Sequence, residues 1–161
     1  RPFGRHKAIG GTAEGRELMI RPFRAGDLQP VLQIWLDSNT TAHSFISPSY
    51  WQDRRELVHK ALPNADVYVY ELEGAVVGFI GLSGDEVEGL FVAEGRRSCG
   101  IGKALLDYVK ARHPHLALYV YEKNTRAMRF YLREGFIPSF CRTAPDTGEA
   151  EYYMEFAVPS S

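Results

Sequence analysis

The stretch RRSCGIGKALLDYV, residues 96–109, places two glycines two positions apart at the start of a segment with helical periodicity. Gly100 and Gly102 have no side chains to cover the backbone, and Ile101 and Leu105 follow at helical spacing. A helix start has free N–H groups and the positive end of the helix dipole, so bare backbone there suits an anion. In the alternative interpretation, the glycines only permit a tight turn.

Two carboxylates in the segment EVEGLFV are candidates for acid–base chemistry. Glu86 and Glu88 share the parity of Leu90, so in a strand the three side chains are expected to face one side. Like charges at close range raise the pKa of a carboxyl group toward a value that suits a general base. The alternative is that both side chains lie at a solvated edge of the sheet.

A third group of residues lies in NTRAMRFYLREG. Asn124, Ala127 and Tyr131 are three and seven positions apart, so they share one helix face. The Tyr131 hydroxyl could move a proton, whereas the alternative interpretation makes it a packing residue. Phe130 and Phe136 are expected to point elsewhere, into the core.

The elements that would position these residues follow from periodicity and turn signals. Strands are predicted at ELMIRPF, DVYVYEL, AVVGFIGLS, EVEGLFVA, HLALYVYE, FIPSFC and EYYMEFAV, with a turn at Glu73-Gly74 between the second and third. Helices are predicted from Leu28 to about Asp37 after Asp27, from Pro48 to about Leu62 after Ser47, from the glycines to before Pro114, and over NTRAMRFYLREG up to Gly135.

This order of elements predicts an α/β domain in which three antiparallel strands lead into a parallel strand–helix–strand crossover. Residues 17–158 are interpreted as one domain. Residues 1–16 contain four glycines and no apolar period, which indicates a flexible N-terminal tail that could be left over from cloning.

The glycine loop does not match the common nucleotide-binding loops. A P-loop would need Gly at 97 and a hydroxyl residue at 104, where the chain has Arg97 and Ala104. A dinucleotide fingerprint would need a small residue in place of Leu105. Glu122 does lie where a ribose-binding acid could be, which keeps this option open, but the antiparallel strands upstream argue against a doubly wound sheet.

The pattern [RQ]-x-x-G-x-[GA] after LFV, formed by residues 97–102, together with NTRAMRFYLREGF, resembles the GNAT superfamily of N-acetyltransferases. WLDSNTTAHSFISPSYW, GIGKALLDYVKARHPHLALYVYEKN and FYLREGF resemble its bacterial YiaC- and YjaB-like branch. The likeness covers about residues 18–157. The chain departs from the usual pattern at Glu94, where many members have proline, and at Ser98, where many have glycine.

The resemblance implies a GNAT fold, with a mostly antiparallel mixed sheet of about seven strands and about four helices, and acetyl-CoA as cofactor. It implies that the loop binds the pyrophosphate and that the strand before it pairs with the pantetheine arm. The implied cofactor-binding residues are Leu90, Phe91, Val92, Arg97, Ser98, Cys99, Gly100, Ile101, Gly102, Lys103, Asn124, Ala127 and Tyr131.

The resemblance also implies direct acetyl transfer to a primary amine, with a protein lysine as the expected acceptor. Tyr131 would be the general acid for the coenzyme A sulfur, and Glu86 or Glu88 would be the base for the amine. Cys99 has no basic companion, so an acyl-cysteine intermediate is not expected. Two alternatives stay open: a small-molecule amine as acceptor, and a non-catalytic acyl-CoA-binding module.

The segment TAHSFISPSYW is the expected acceptor side, because aromatic walls suit a lysine side chain with its apolar stem and cationic head. His43, Phe45 and Trp51 are the candidate substrate residues. His43 is alternatively a second proton acceptor. In the other interpretation, the aromatic residues belong to the core.

Composition and charge narrow the classes of protein to which this chain could belong. A chain of 161 residues with net charge −1 has no global attraction for nucleic acid. No apolar run approaches 18 residues, so no membrane segment is expected. Cys99 and Cys141 match neither a disulfide framework nor a metal site, which predicts a cytoplasmic protein without metal. A monomer or a homodimer fits these observations.

Overall fold

A computed structural model describes residues 19–97 and 99–159. The predicted tail at residues 1–16 and Ser98 lie outside the described residues. The strands are β1 (Ile20–Pro22), β2 (Asp66–Leu72), β3 (Ala75–Ser83), β4 (Glu86–Val92), β5 (His115–Tyr121), β6 (Ile137–Thr143) and β7 (Ala150–Ala157). The α-helices are α1 (Leu28–Ala42), α2 (Pro48–Ala61), α3 (Ile101–Lys110) and α4 (Thr125–Arg133).

The seven strands form one sheet in the order β1-β2-β3-β4-β5-β7-β6. Every neighbouring pair is antiparallel except β4 and β5, which α3 connects as a parallel crossover. The pairing of β4 with β5 is confined to Glu86 opposite Ala117 within the described chain. Beyond that point the two strands diverge, so the later part of β4 offers unpaired backbone on its β5 side. The predicted fold class is confirmed.

Two apolar clusters cover the two faces of the sheet. α3 and α4 pack on one face, where Leu105, Val109 and Phe136 are almost completely buried against strand residues such as Ile80. α1 packs on the other face through Val31, Leu32 and Ile34, against Val67, Val69 and Phe79. The packing of these clusters against the sheet holds α3 and α4 in place beside the end of β4.

α1 is longer than predicted, because it ends at Ala42 instead of at about Asp37. Asn and Thr side chains often compete with helical backbone bonds, so the segment NTT is a weak place to continue a helix. In the structure Asn39 donates to the carbonyl of Trp35 and Thr40 donates to the carbonyl of Leu36, so their polar groups are satisfied within the helix. The longer helix carries its C-terminal end toward α4.

A β-bulge in β4 makes one prediction wrong. Gly89 pairs with Gly81 but Val87 pairs with Leu82, so Glu88 is an additional residue in β4. The inserted residue breaks the alternation of side chains, and Val87 and Leu90 consequently pack into the same apolar cluster. Glu86, Glu88 and Leu90 therefore do not share one face, as simple parity had suggested.

Candidate active site

One cavity of about 620 Å³, which we call the loop cleft, lies where β4 loses its partner. It is lined by residues 90–92 of β4, by residues 96 and 97 of the loop, by residues 100–103 around the start of α3, and by one side of α4. The predicted strand, glycine loop and helix thus meet at one opening. Cys99 is exposed and does not line the loop cleft.

The start of α3 presents free backbone donors to this cleft. Gly100 is the N-cap residue with φ of 80°, a left-handed conformation that glycine adopts without strain, and no side chain among the described residues caps the helix. Ala104 makes the first bond of the helix, to the carbonyl of Gly100. The N–H groups of residues 101–103 therefore have no intrahelical partner, and they lie at the positive end of the helix dipole.

Gly102 shows how close a ligand could approach. A Cβ atom built on Gly102 would lie 3.8 Å from Phe130 Cζ and 3.8 Å from Val92 Cγ2, which is ordinary contact distance. Phe130 lines the cleft as well as packing against the core, so the expectation that it points elsewhere is wrong in part. The bare backbone and the adjacent Arg97 fit an extended anionic ligand such as a pyrophosphate.

A second cavity of about 270 Å³, which we call the aromatic cavity, lies beside the loop cleft. Its walls include Trp35, Trp51 and Tyr121, and two carboxylates, Glu88 and Glu151, line it as well. The residues that line both cavities are Leu90, Phe91, Asn124, Ala127 and Tyr131. These residues mark the place where ligands in the two cavities would meet.

Tyr131 lies at this junction. Its side chain is 9% exposed and packs edge-on against Phe130 and Phe136. Burial raises the pKa of its phenol above the ordinary value, so the hydroxyl stays protonated at neutral pH. A protonated hydroxyl at the meeting point of two cavities can donate a proton or a hydrogen bond to either ligand.

Sequence comparison gives the family. The model of the acetyltransferase (GNAT) domain matches residues 63–138. The peptidyl-lysine N-acetyltransferase YiaC of Escherichia coli is 40% identical over 142 residues, which are 87% of this chain and 97% of YiaC. The chain belongs to the GNAT family. The resemblance seen in the sequence is confirmed, and the protein is an acetyl-CoA-dependent N-acetyltransferase.

Solved GNAT structures agree with this fold. The solution structure of apo-form YjaB from Escherichia coli superposes with a TM-score of 0.77 at 29% identity, covering 87% of this chain and 97% of YjaB. The PaiA N-acetyltransferase of Thermoplasma acidophilum, solved in complex with coenzyme A, superposes with a TM-score of 0.69 at 19% identity. This match covers 86% of this chain and 97% of PaiA. Membership of the GNAT family confirms the prediction of acetyl-CoA as the cofactor.

We expect Gly102→Ala to weaken acetyl-CoA binding to this GNAT domain about tenfold. The added methyl group fits the protein, but it covers the N–H groups that a pyrophosphate would approach, and a bond to a charged group is worth about 1.5–3 kcal/mol. Calorimetry measures the dissociation constant. Gly26→Ala is the matched control, since Gly26 has open space around it and does not line the cleft. Unchanged affinity in Gly102→Ala would place the pyrophosphate elsewhere.

The predicted cation Lys103 is already partly neutralised. Its ammonium lies 3.2 Å from Asp107 and 3.2 Å from Glu134, which raises the pKa of Lys103. Arg97 lines the loop cleft without an ion pair among the residues that the structure describes. Arg97 is therefore the more available charge for a phosphate at this loop.

Of the two carboxylates predicted in the GNAT β4 strand, Glu88 is the one that lines the aromatic cavity. Burial, and secondarily the negative charge of Glu86, raise the pKa of Glu88. Glu86 lines neither cavity and pairs with Ala117 of β5. The bulge therefore gives the two carboxylates different surroundings. Glu86 affects the site through its charge, which raises the pKa of Glu88.

His43 is buried in a chain of hydrogen bonds that determines its tautomer. The Ala127 N–H donates to Asn124 Oδ1, so the Asn124 amide nitrogen faces His43 Nε2 at 3.1 Å. His43 Nε2 must accept this bond, and Nδ1 donates to Asn39 Oδ1 at 3.1 Å. Burial lowers the pKa of His43 to about 4. The imidazole is neutral and both nitrogens are engaged, which argues against the alternative role as a proton acceptor.

The same chain of bonds gives Asn124 a contact that the sequence did not predict. Its two amide atoms are used by Ala127 and by His43, so Asn124 links the end of α1 to the start of α4. Trp51 stacks on His43 with centroids 5.4 Å apart and lines the aromatic cavity. Phe45 contacts the edge of His43 but does not line either cavity.

We expect this burial of His43 to reduce stability in weak acid. The unfolded chain takes up a proton at His43 near pH 6.5, whereas the folded chain does so only near pH 4, so stability is complete above pH 6.5 and falls as the pH drops toward 4. At about 1.4 kcal/mol for each pKa unit, the loss from pH 7 to pH 5 is about 2 kcal/mol. Urea unfolding at both values, compared with His43→Gln and the control His59→Gln, measures it. An equal loss in His43→Gln would contradict this assignment.

Glu151 is a residue of the aromatic cavity that sequence reasoning missed. Its side chain is 9% exposed and accepts a hydrogen bond from Arg142 Nε at 2.7 Å. The sequence predicts a strand at EYYMEFAV and points to no site residue in it. Its burial depends on pairing with β5 and β6, which local sequence does not reveal.

The described residues place further limits on the site. No helix in residues 19–97 and 99–159 is long and apolar enough to span a bilayer. Within the same part of the chain, no group of three or more His, Cys, Asp or Glu side chains is arranged to hold a metal ion.

Proposed function

We propose that this enzyme transfers the acetyl group of acetyl-CoA to the ε-amino group of protein lysines by direct attack in a ternary complex. The observation that carries the proposal is the junction of the loop cleft with the aromatic cavity at Tyr131, with Glu88 on the aromatic side. Its relatives YiaC and YjaB are named peptidyl-lysine N-acetyltransferases, which supports the choice of acceptor.

The aromatic cavity suits a lysine side chain. Trp35, Trp51 and Tyr121 would surround the methylene stem, while Glu88 and Glu151 would attract the ammonium group. In this proposal Trp51 is a substrate residue, His43 holds the wall in place, and Phe45 packs behind His43. A cavity of about 270 Å³ admits one narrow side chain, which favours an alkyl amine over a bulky one.

The proposed reaction takes two protons from the nitrogen and gives one to the sulfur. A lysine ammonium has a pKa of about 10.4 and must lose a proton, which the Glu88 carboxylate accepts and passes to solvent. The amine nitrogen then attacks the thioester carbonyl, the carbon–sulfur bond breaks as the carbonyl forms again, and the nitrogen releases its second proton to solvent. The Tyr131 hydroxyl gives its proton to the departing sulfur, and solvent returns a proton to the phenolate. Cys99 has no part in these steps, since it lies outside both cavities.

The loop cleft has a corresponding role for the donor in this proposal. Ile101, Gly102, Lys103 and Arg97 would hold the pyrophosphate. The unpaired backbone of residues 90–92 would bind the pantetheine arm, and Ala127 would pack beside it. Gly100 provides the turn that makes the approach possible.

The proposal extends to the setting of the enzyme. We take residues 17–158 as a single catalytic domain that works as a monomer or a homodimer in the bacterial cytoplasm. A net charge of −1 supports an enzyme that binds neither nucleic acid nor a membrane.

Thiol release from acetyl-CoA with matched acceptors tests the choice of substrate. One peptide contains a single lysine and a blocked N-terminus, a second has arginine in place of that lysine, and a third has a free N-terminus without lysine. The panel also contains free polyamines and aminoglycosides. Turnover confined to the lysine peptide supports the proposal. Faster turnover with a small amine, or with the free N-terminus, would overturn it.

A further inference from the structure

α4 carries three arginines along the side that lines the loop cleft. Arg126, Arg129 and Arg133 are three and seven positions apart, which places them on one helix face, and all three line the cleft. The helix itself, TRAMRFYLR, contains no aspartate or glutamate. The cleft therefore has a cationic wall formed by α4 in addition to the glycine loop.

These three charges have no partner of opposite sign in the described part of the chain. Across residues 19–97 and 99–159, none of the three arginines forms an ion pair, and Arg133 only lies 5.7 Å above the ring of Phe130. Arg126 is the second residue of α4, where the positive end of the helix dipole disfavours a cation. Like charges at this spacing also repel. An anion bound in the cleft would relieve each of these unfavourable terms.

The glycine loop has its own means of binding a pyrophosphate. It offers the N–H groups at the start of α3 and the charge of Arg97, while Arg96 is already paired with Glu73 at 3.5 Å. Acetyl-CoA has a second anionic group, the phosphomonoester on its ribose, which carries a charge of about −1.5 to −2 at pH 7. The loop does not account for that group, and the arginines are on another element that lines the same cleft.

We propose that Arg126, Arg129 and Arg133 bind the ribose 3′-phosphate of acetyl-CoA and select this donor over analogues that lack the phosphate. Guanidinium groups suit this contact because their planar donors match phosphate oxygens. The selection concerns the donor alone, so it is independent of the amine that accepts the acetyl group.

Calorimetry with CoA and 3′-dephospho-CoA tests the proposal on the full chain. We expect the unmodified protein to bind CoA about tenfold more tightly, since exposed charge pairs contribute modestly and three act together. In the variant R126Q/R129Q/R133Q this ratio should fall to near one, with the affinity for dephospho-CoA little changed. The control R112Q removes the same charge from an arginine that stacks on Tyr108 outside the cleft, and it should keep the ratio.

The other outcomes are decisive as well. Equal weakening of both ligands in the triple variant would mean that the arginines hold the pyrophosphate, and the proposal would be wrong. If the affinity ratio did not change in the triple variant, or if the unmodified protein did not prefer CoA, the arginines would only form a solvent-exposed face. The proposal would then be wrong. Because all three side chains are exposed, the melting temperature of the free triple variant should equal or exceed that of the unmodified protein.

Discussion

Tyr131→Phe should lower kcat about a hundredfold while leaving the affinity for acetyl-CoA nearly unchanged. The substitution keeps the ring that packs against Phe130 and Phe136 and removes only the hydroxyl at the junction of the two cavities. A positioned general acid or base accelerates a reaction by about 10²–10⁴-fold. Because water can replace the phenol in part, we expect a loss of rate at the lower end of this range. Steady-state kinetics with saturating acetyl-CoA and amine measures it.

The pH dependence of this loss distinguishes an acid from a packing residue. Burial raises the pKa of Tyr131, so the hydroxyl remains protonated across the neutral and mildly alkaline range, and the deficit of Tyr131→Phe should be constant there. Tyr152→Phe is the matched control, since it removes a hydroxyl from a tyrosine outside both cavities. A variant that melts early and binds acetyl-CoA poorly, yet turns over normally when saturated, would make the hydroxyl a structural group.

The elements that the sequence predicted well depend on local signals. Glu73 and Gly74 have φ of 53° and 82°, which is the turn expected for a two-residue hairpin connection. Gly135 ends the α4 segment with φ of 95°, as expected for a glycine after a helix. The strands between such turns alternate clearly, so the mixed sheet and its parallel crossover followed from the order of elements.

The residues that sequence reasoning placed incorrectly, or missed, depend on contacts between distant parts of the chain. Asn124 meets His43 across 81 positions, and Glu151 is buried by Arg142 of a neighbouring strand. The bulge at Glu88 depends on how β4 pairs with β3. The alternation of side chains along a single strand, with its period of two, does not reveal such a bulge. Sequence reasoning assigned no role to the cleft-lining arginines of α4, because their place in the site depends on where the glycine loop lies.

Glu88→Gln should lower kcat/KM at neutral pH about a hundredfold and should recover as the pH approaches the amine pKa of about 10.4. The glutamine keeps the size of the side chain in the aromatic cavity and removes its ability to accept a proton. At low pH the acceptor amine is almost entirely protonated, so the base is needed most there. At high pH the amine is already neutral and the loss of the base matters little. A profile of kcat/KM from pH 6 to pH 10 measures the effect.

Glu86→Gln is the matched control, and it makes a separate prediction about the same profile. The charge of Glu86 contributes to the raised pKa of Glu88, so its removal should lower that pKa. The acidic limb of the profile, where Glu88 becomes protonated, should then move to lower pH while the neutral rate stays close to that of the unmodified enzyme. A uniform decrease at every pH in Glu88→Gln would show that this side chain only positions the amine. A larger loss in Glu86→Gln than in Glu88→Gln would transfer the role of base to Glu86, against the geometry of the bulge.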